Sequence, residues 1–405
     1  HARTASTAMR IGNQLGSGYE LSDAEVARLA APSLVVGEAT VQTGAISLES
    51  VDFAAGVGTV TISADGAGGT VSMAGNIDDP IDLTVTAAAG VSITDTGASY
   101  YRTSGTQTYT GDLTIANDVT FAAADFVFSD PAGDAINAGG ILEFTSYDGS
   151  TSMDIGTAAS TAFHLSDAEL AAIATAAQIN FGASSNPLPT PAYNQAQPVT
   201  IQTVDLSAVN TTGVDVHVYA EVTPGSVTLD DEAGAAAALA VGAGNIVIRS
   251  FNPIVATDGA NAVAELDTAG TGAGSIVLSS SRAGAGRIGA AADPIQLATG
   301  ADPITIEAAP LGFFLDSMGG DLFLADATGV DPGSAIALDG NRLVLFGDLD
   351  FPGVDLTITA ATEIAEDLAD SGSGIQIITD HTGTDGTVTF GNTIERYSAG
   401  AYTGA

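Results

Sequence analysis

Ile81-Asp82-Leu83-Thr84-Val85 alternates apolar and polar residues, and Asp79-Pro80 stands immediately before it. A period of two puts Ile81, Leu83 and Val85 on one face, the pattern of a strand with one buried side. Asp turns the chain, Pro opens the strand where no ladder N–H is needed, and Ile points inward. The phrase returns as Asp293-Pro294-Ile295-Gln296-Leu297 and as Asp302-Pro303-Ile304-Thr305-Ile306. Each copy is expected to form the corner of a coil. Further short alternating runs, among them Val60-Thr61-Ile62, Val199-Thr200-Ile201 and Val388-Thr389-Phe390, fill most of the chain. Each is closed by Gly, Asp, Asn, Ala or Pro. Units that recur in this way bury their apolar faces against one another, which predicts an all-β solenoid of stacked coils.

Two or three strands per coil would set coils of roughly 20–25 residues, on the order of 16–20 of them. No linker or shift of composition divides the sequence, so residues 1–405 are expected to form a single continuous β-solenoid of imperfect repeats. The segment from Tyr397 to Ala405 stops in the middle of a unit, as a fragment of a longer chain would. The sequence opens at His1 without a charged-then-apolar leader, so a targeting signal is expected to have been removed or to lie outside it.

A longer repeat overlies the short one. Leu21-Ser22-Asp23-Ala24-Glu25 returns as Leu165-Ser166-Asp167-Ala168-Glu169, an offset of 165 − 21 = 144. Serine three residues ahead of glutamate at the head of an alanine-rich stretch is a capping box. Short helical insertions are therefore expected near 22–30 and 166–176. Downstream, Ile46–Phe53 matches Val199–Leu206 at an offset of 199 − 46 = 153. The residues gained between the two landmarks include Pro187-Leu188-Pro189-Thr190-Pro191. Prolines at alternate positions cannot sit within a sheet ladder, so this segment is expected to be an extended surface loop.

Composition narrows the function classes. The chain holds 48 acidic residues against nine arginines and no lysine, a net charge of −39. Such a charge repels nucleic-acid phosphates and anionic membranes, so neither is an expected partner. The lack of lysine removes a P-loop and a Schiff base. The lack of cysteine removes disulfides and thiolate metal sites. No apolar run is long enough to span a bilayer.

Several quoted elements together resemble the repeat region of filamentous-haemagglutinin-like adhesins, two-partner-secretion exoproteins of Gram-negative bacteria. These are the paired Leu-Ser-Asp-Ala-Glu boxes with Gly37 and Gly182 beyond them, and Thr106–Ile115 echoed by Gly400–Ala405. Between them lies Ile288-Gly289-Ala290-Ala291-Ala292-Asp293-Pro294-Ile295-Gln296-Leu297. The resemblance implies a right-handed parallel β-helix, exported through an outer-membrane secretion partner to the cell surface or medium, where it serves adhesion or matrix building. A secretion domain of the type such proteins carry is not found, nor is a receptor-binding or toxin module.

Chemistry-bearing motifs are sparse. Gly284-Ala285-Gly286-Arg287-Ile288-Gly289 satisfies G-x-G-x-x-G, but a β-type run follows it where a dinucleotide site needs a helix. Acidic clusters at Asp78-Asp79, at Asp230-Asp231-Glu232, and at Asp348 with Asp350 leave room for a structural calcium ion, although no calcium-binding spacing is present. The four histidines, 1, 164, 217 and 381, share no metal spacing, and His217 is expected to face outward on its strand. No cofactor is expected. Arg282 with Arg287 is the nearest thing to a basic site, expected on an exposed coil edge. Tyr100, Tyr101 and Tyr193 are the expected partner or glycan contacts.

Three functions follow as expectations. The first is a non-enzymatic extracellular adhesin shaft that binds a cell-surface receptor or glycan. The second is a self-associating subunit of an extracellular filament or matrix, since an open coil end exposes strand edges. The third is a β-helix polysaccharide hydrolase or lyase, which a convergent carboxylate pair in a groove would favour. Deletion of residues 187–193 is expected to leave the fold intact, because the first copy lacks the insertion. An unchanged circular dichroism spectrum and melting temperature would support the repeat alignment, and loss of folding would overturn it.

Overall fold

The structure is a computed structural model. It describes residues 6–12, 19–29, 31–53, 56–130, 133–156, 163–183, 195–211, 213–232, 236–257, 263–268, 274–299, 303–318, 320–345, 349–351, 354–359, 361–365, 377–378, 388–390 and 394–397. Two compact units divide the chain, His1–Gln195 and Ala196–Ala405. Every strand ladder described is parallel, as the stacking of coils requires.

In the first unit the period-two runs become three sheets, and successive coils visit them in a fixed order. Val71–Ala74, Ile77–Asp79 and Asp82–Ala87 make one coil. Val91–Ile93, Ser99–Thr103 and Thr106–Thr110 make the next, and Leu113–Ile115, Val119–Ala123 and Asp125–Phe128 the third. Val71 pairs with Val91, and Val91 with Leu113, steps of 20 and 22 residues. Because each strand lies directly above its successor, like residues stack in columns. Tyr101, Phe121, Phe144 and Phe181 are in register down one face, and all four are buried. Their rings stack at 6.0 Å (Tyr101–Phe121) and 5.8 Å (Phe121–Phe144). Gln107 is sealed inside the same core, where its amide donates to the carbonyls of Tyr101 (2.7 Å) and Ala122 (3.1 Å). Those bonds satisfy the polar group that burial would otherwise penalise.

The capping boxes form as expected, but the helices are shorter than their alanine-rich sequence suggests. They span Asp23–Val26 and Asp167–Ala171. Ser166 donates through both N–H and Oγ–H to the Glu169 carboxylate, at 2.8 and 2.7 Å. A helix of one turn gains little from propagation, and the chain after the second box leaves at once to pair Ile173 with Ile136. Strand pairing therefore outcompetes the helix. The repeat also begins earlier than the boxes. Met9-Arg10-Ile11-Gly12 and Met153-Asp154-Ile155-Gly156 keep the offset of 153 − 9 = 144. Met9–Gly12 pairs with Tyr19–Leu21, and Met153–Gly156 with Phe163–Leu165, in the same register. Gly12 and Gly156 share φ values of 106° and 108°, and a Cβ on Gly12 would collide with the Glu49 carbonyl oxygen.

The second unit begins with wider coils. Val216, Ile246 and Ile276 pair in steps of 30 residues, longer than the 20–25 expected, and three faces are present. Beyond Ile254–Ala256 one of these faces shrinks to single bridges at Ile254–Ile288 and Ile288–Phe313. The step from Ile304 to Leu324 then falls to 20 residues. Coil length thus follows how many faces a coil builds. The Asp-Pro-Ile corners behave as read: Ile81, Ile295 and Ile304 are all buried, and strands start at Asp82, Ile295 and Ile304. The corresponding turns of Ile46–Phe53 and Val199–Leu206 share a left-handed residue, Ser50 (φ 37°) and Thr203 (φ 52°). The Gly284–Gly289 motif is a turn that runs into the Ile288 bridge and not into a helix.

Strand ladders pair the backbone along each face, but the corners leave N–H groups without a ladder partner. Acidic side chains of neighbouring coils meet many of them. Asp82 Oδ1 accepts from Thr106 N–H (2.9 Å), Asp112 Oδ1 from Ala135 (2.9 Å), Asp118 Oδ1 from Ile141 (2.8 Å) and Asp134 Oδ2 from Gly111 (2.9 Å). In the second unit Asp215 and then Asn245 repeat the device toward Asn245 and Ser275. A charged acceptor makes a stronger bond than a neutral one. Asp118→Ala is expected to destabilise the first unit by about 1–3 kcal/mol, while Asp118→Asn, which keeps an acceptor oxygen, costs less than half of that. Denaturant unfolding of the two variants beside the parent checks the order.

Candidate functional site

The aromatic residues singled out by sequence take different positions. Tyr101 is core: it is 1 % exposed, stacks on Phe121, and desolvation drives its hydroxyl pKa upward. It has no surface to offer a partner, because a one-residue step along a strand moves a side chain to the opposite face. Tyr100 is half-buried on the outer face, its N–H donating to Asn76 Oδ1 at 3.0 Å. Beside it, Arg102 bonds Asp78 (2.9 Å) and the Tyr147 carbonyl (3.0 Å), with its guanidinium 4.2 Å from the Tyr147 ring centroid. That patch joins aromatic and cationic groups, but its arginine is already held on three sides. Tyr193 and the proline segment lie outside the described residues.

The acidic clusters serve the fold. Asp78 pairs with Arg102, and the buried Asp79 accepts from Phe53 N–H at 3.2 Å. Asp230 accepts from Gln202 (3.0 Å) and from Glu232 N–H (3.0 Å). Asp348, His1 and His381 lie outside the described residues, as does the side chain of Asp350. Among the described residues no three His, Asp or Glu side chains gather as a metal would require. His217 faces outward as expected, half-buried, with its Nδ1 2.8 Å from the Tyr219 hydroxyl. His164 Nε2 lies 3.2 Å from the Gly156 carbonyl. Arg282 sits on an exposed turn and donates to Asn252 Oδ1 at 2.8 Å, whereas Arg287 leads into the Ile288 bridge. Arg249 clamps Glu307 with two bonds of 2.9 and 2.8 Å, reaching across the intervening strand Ile276–Ser280.

The second unit contains a cleft of about 400 Å³ that no motif announced. Three successive coils build it. Val263, Ala264 and Asp267 come from the first, Leu297, Ala298 and Thr299 from the next, and Ser317, Met318, Gly320 and Asp321 from the third, with Ala237 completing the wall. Register fixes the first two coils, since Leu266 pairs with Leu297 and Asp267 with Ala298. The third is a tight turn. Met318 has φ 52°, its N–H donates to Asp316 Oδ1 (2.7 Å), and Ser317 Oγ donates to the Gly320 carbonyl (2.5 Å). Thr299 is 3 % exposed and its hydroxyl has no partner. The cleft therefore brings two carboxylates and an unsatisfied hydroxyl to an otherwise aliphatic surface. Sequence gave one signal for it, the recurrence of Leu-x-Thr at Leu266–Thr268 and Leu297–Thr299.

Behind the cleft, Glu265 is 1 % exposed. Desolvation, with the Asp231 and Asp316 carboxylates nearby, raises its pKa to about 7, although Gln296 N–H donates to it. Desolvation also raises Glu143 to about 7 in the first unit, where Thr120 (3.0 Å) and Asn180 (3.2 Å) donate to it. No protein-family model, curated protein or solved structure matches the chain.

A raised carboxyl pKa means the folded state holds a proton that the unfolded state releases above its ordinary value of 4.5. The stability from that proton is complete below about pH 4.5 and is lost as pH rises through about 7. Glu265→Gln, which removes the ionisation, is expected to match the parent near pH 4.5 and to become progressively more stable than it toward pH 8. Denaturant unfolding of both proteins across that range checks the sign.

Proposed function

We propose that the chain is shaft from a non-enzymatic extracellular adhesin of a Gram-negative bacterium. It attaches a surface or a neighbouring cell through many weak contacts. The observation that carries this reading is the use the fold makes of its chemistry. Inward positions form unbroken apolar columns such as Tyr101–Phe121–Phe144–Phe181, and corner carboxylates such as Asp82, Asp112 and Asp118 hold coil to coil. Residues employed this way build a rigid scaffold with a repulsive, soluble exterior. The resemblance to filamentous-haemagglutinin-like repeats supports the same reading, and export to the cell surface through an outer-membrane partner comes from that resemblance.

A second reading, self-association, is favoured by one edge of the first unit. Tyr19–Leu21 and Ser33–Gly37 are terminal strands of their sheets. Tyr19 (42 % exposed), Val35 (59 %) and Val41 (43 %) cluster in this short stretch. Apolar side chains beside unpaired strand edges invite strand addition.

Binding of the purified chain to bacterial cells, host cells and a glycan array, beside sedimentation velocity, separates the readings. Saturable binding by a monodisperse protein that leaves glycans uncleaved is the expected result. Growth into large assemblies that Val35→Lys abolishes would give first place to self-association. Glycan cleavage would overturn both.

A further inference from the structure

We infer that the cleft of the second unit is a binding site for an alkylammonium group, a primary amine on an aliphatic stem, as carried by a lysine side chain or a free diamine. The inference rests on the cleft alone and is independent of the adhesin reading.

The lining divides into two chemistries. Val263, Ala264, Leu297, Ala298 and Met318 offer an aliphatic wall, while Asp267, Thr299, Ser317 and Asp321 offer oxygen. No cationic side chain is among the described lining residues, so the two carboxylates are drawn together without a lining cation. The Asn341 amide reaches Asp321 Oδ1 only at 3.4 Å. An aliphatic stem against the wall and a positive head among the oxygens would satisfy both halves, as long cationic side chains do when they bury stem and head separately.

The Thr299 hydroxyl identifies the cleft as more than an acidic dent. Its oxygen is buried and unpartnered, a state that costs about 1–3 kcal/mol unless something binds there. It belongs to the cleft wall, next to Ala298, which is paired with Asp267. Backbone geometry holds the opposite side ready: the Met318 turn is fixed by Asp316 and by the Ser317–Gly320 bond. An ammonium group presents three donors on a compact head, matching two carboxylates and one hydroxyl. A metal ion is a poorer fit, because no third carboxylate or imidazole joins the pair among the described residues. A sugar is a poorer fit as well, since the described lining holds no aromatic ring to stack on. The chain has no lysine of its own and a net charge of −39, so the amine would come from another molecule, drawn in by the field of the whole protein.

Methionine-methyl NMR tests this directly, because the chain has four methionines and Met9, Met73 and Met153 are buried in the first unit. Titration with N-acetyl-lysine methylamide is expected to move the Met318 signal and leave the other three in place. The same titration with N-acetyl-norleucine methylamide, which lacks the charge, is expected to move none. Cadaverine gives the second arm: tighter binding than the lysine amide points to free diamines, and weaker binding to lysine side chains. Either order supports an alkylammonium site. Asp267→Asn and Asp321→Asn should each weaken binding about tenfold, whereas Asp331→Asn, which removes the same charge at an exposed position elsewhere, should change it less than twofold. Thr299→Val should weaken binding while keeping or raising the melting temperature, which separates loss of a contact from loss of fold. Equal binding of the norleucine analogue, equal weakening by Asp331→Asn, or shifts at all four methyls would overturn the proposal.

Discussion

Parallel coils impose one constraint on everything else: each coil must satisfy the backbone of the next. Along the faces the ladders do this automatically, since every strand meets an identical partner about five ångströms away. At the corners the chain turns and the ladder stops. A buried N–H left there would cost as much as a lost hydrogen bond. The molecule meets that cost with short acidic side chains, as at Asp82, Asp112, Asp118 and Asp134. Asp suits the task because its acceptor lies close to its own backbone, whereas lysine could not accept at all. Part of the net charge is therefore a consequence of the architecture.

The same constraint disciplines the interior. Register places like residues over like, so a position that carries an aromatic ring tends to carry one in the next coil. Tyr101, Phe121, Phe144 and Phe181 form such a column, and branched aliphatics take the role in the second unit. Where backbone presses on backbone, side chains disappear: Gly111 has φ 100° and would drive a Cβ into the Ala87 carbonyl oxygen. Variation is confined to how many faces a coil builds, which sets its length. The capped helices are modest decorations on this scheme, ended by the next strand before they can propagate.

Much of the architecture was legible because it is local. Alternation, Asp-Pro-Ile corners and the two capping boxes each depend on residues within a few positions of one another. The earlier start of the repeat, Met9–Gly12 and Met153–Gly156, was equally present in the letters but hidden by six intervening residues that differ between copies. Tyr100 and Tyr101 look alike in sequence, yet parity along the strand sends one outward and one into the core. The cleft was the least legible feature. Its walls come from three coils tens of residues apart, and none of its members belongs to a recognised motif.

What the sequence determined by itself was the class of fold: stacked strands with apolar faces inward, negative charge outward, and helices limited to two capped turns. Period and capping act between near neighbours, so a linear reading reaches them. Tertiary structure alone decided which carboxylates clamp corners, which are buried at raised pKa, and which gather with Thr299 around a cleft. Those outcomes depend on register between coils 20 to 37 residues apart. A change of one residue in any loop would slide every side chain to the opposite face.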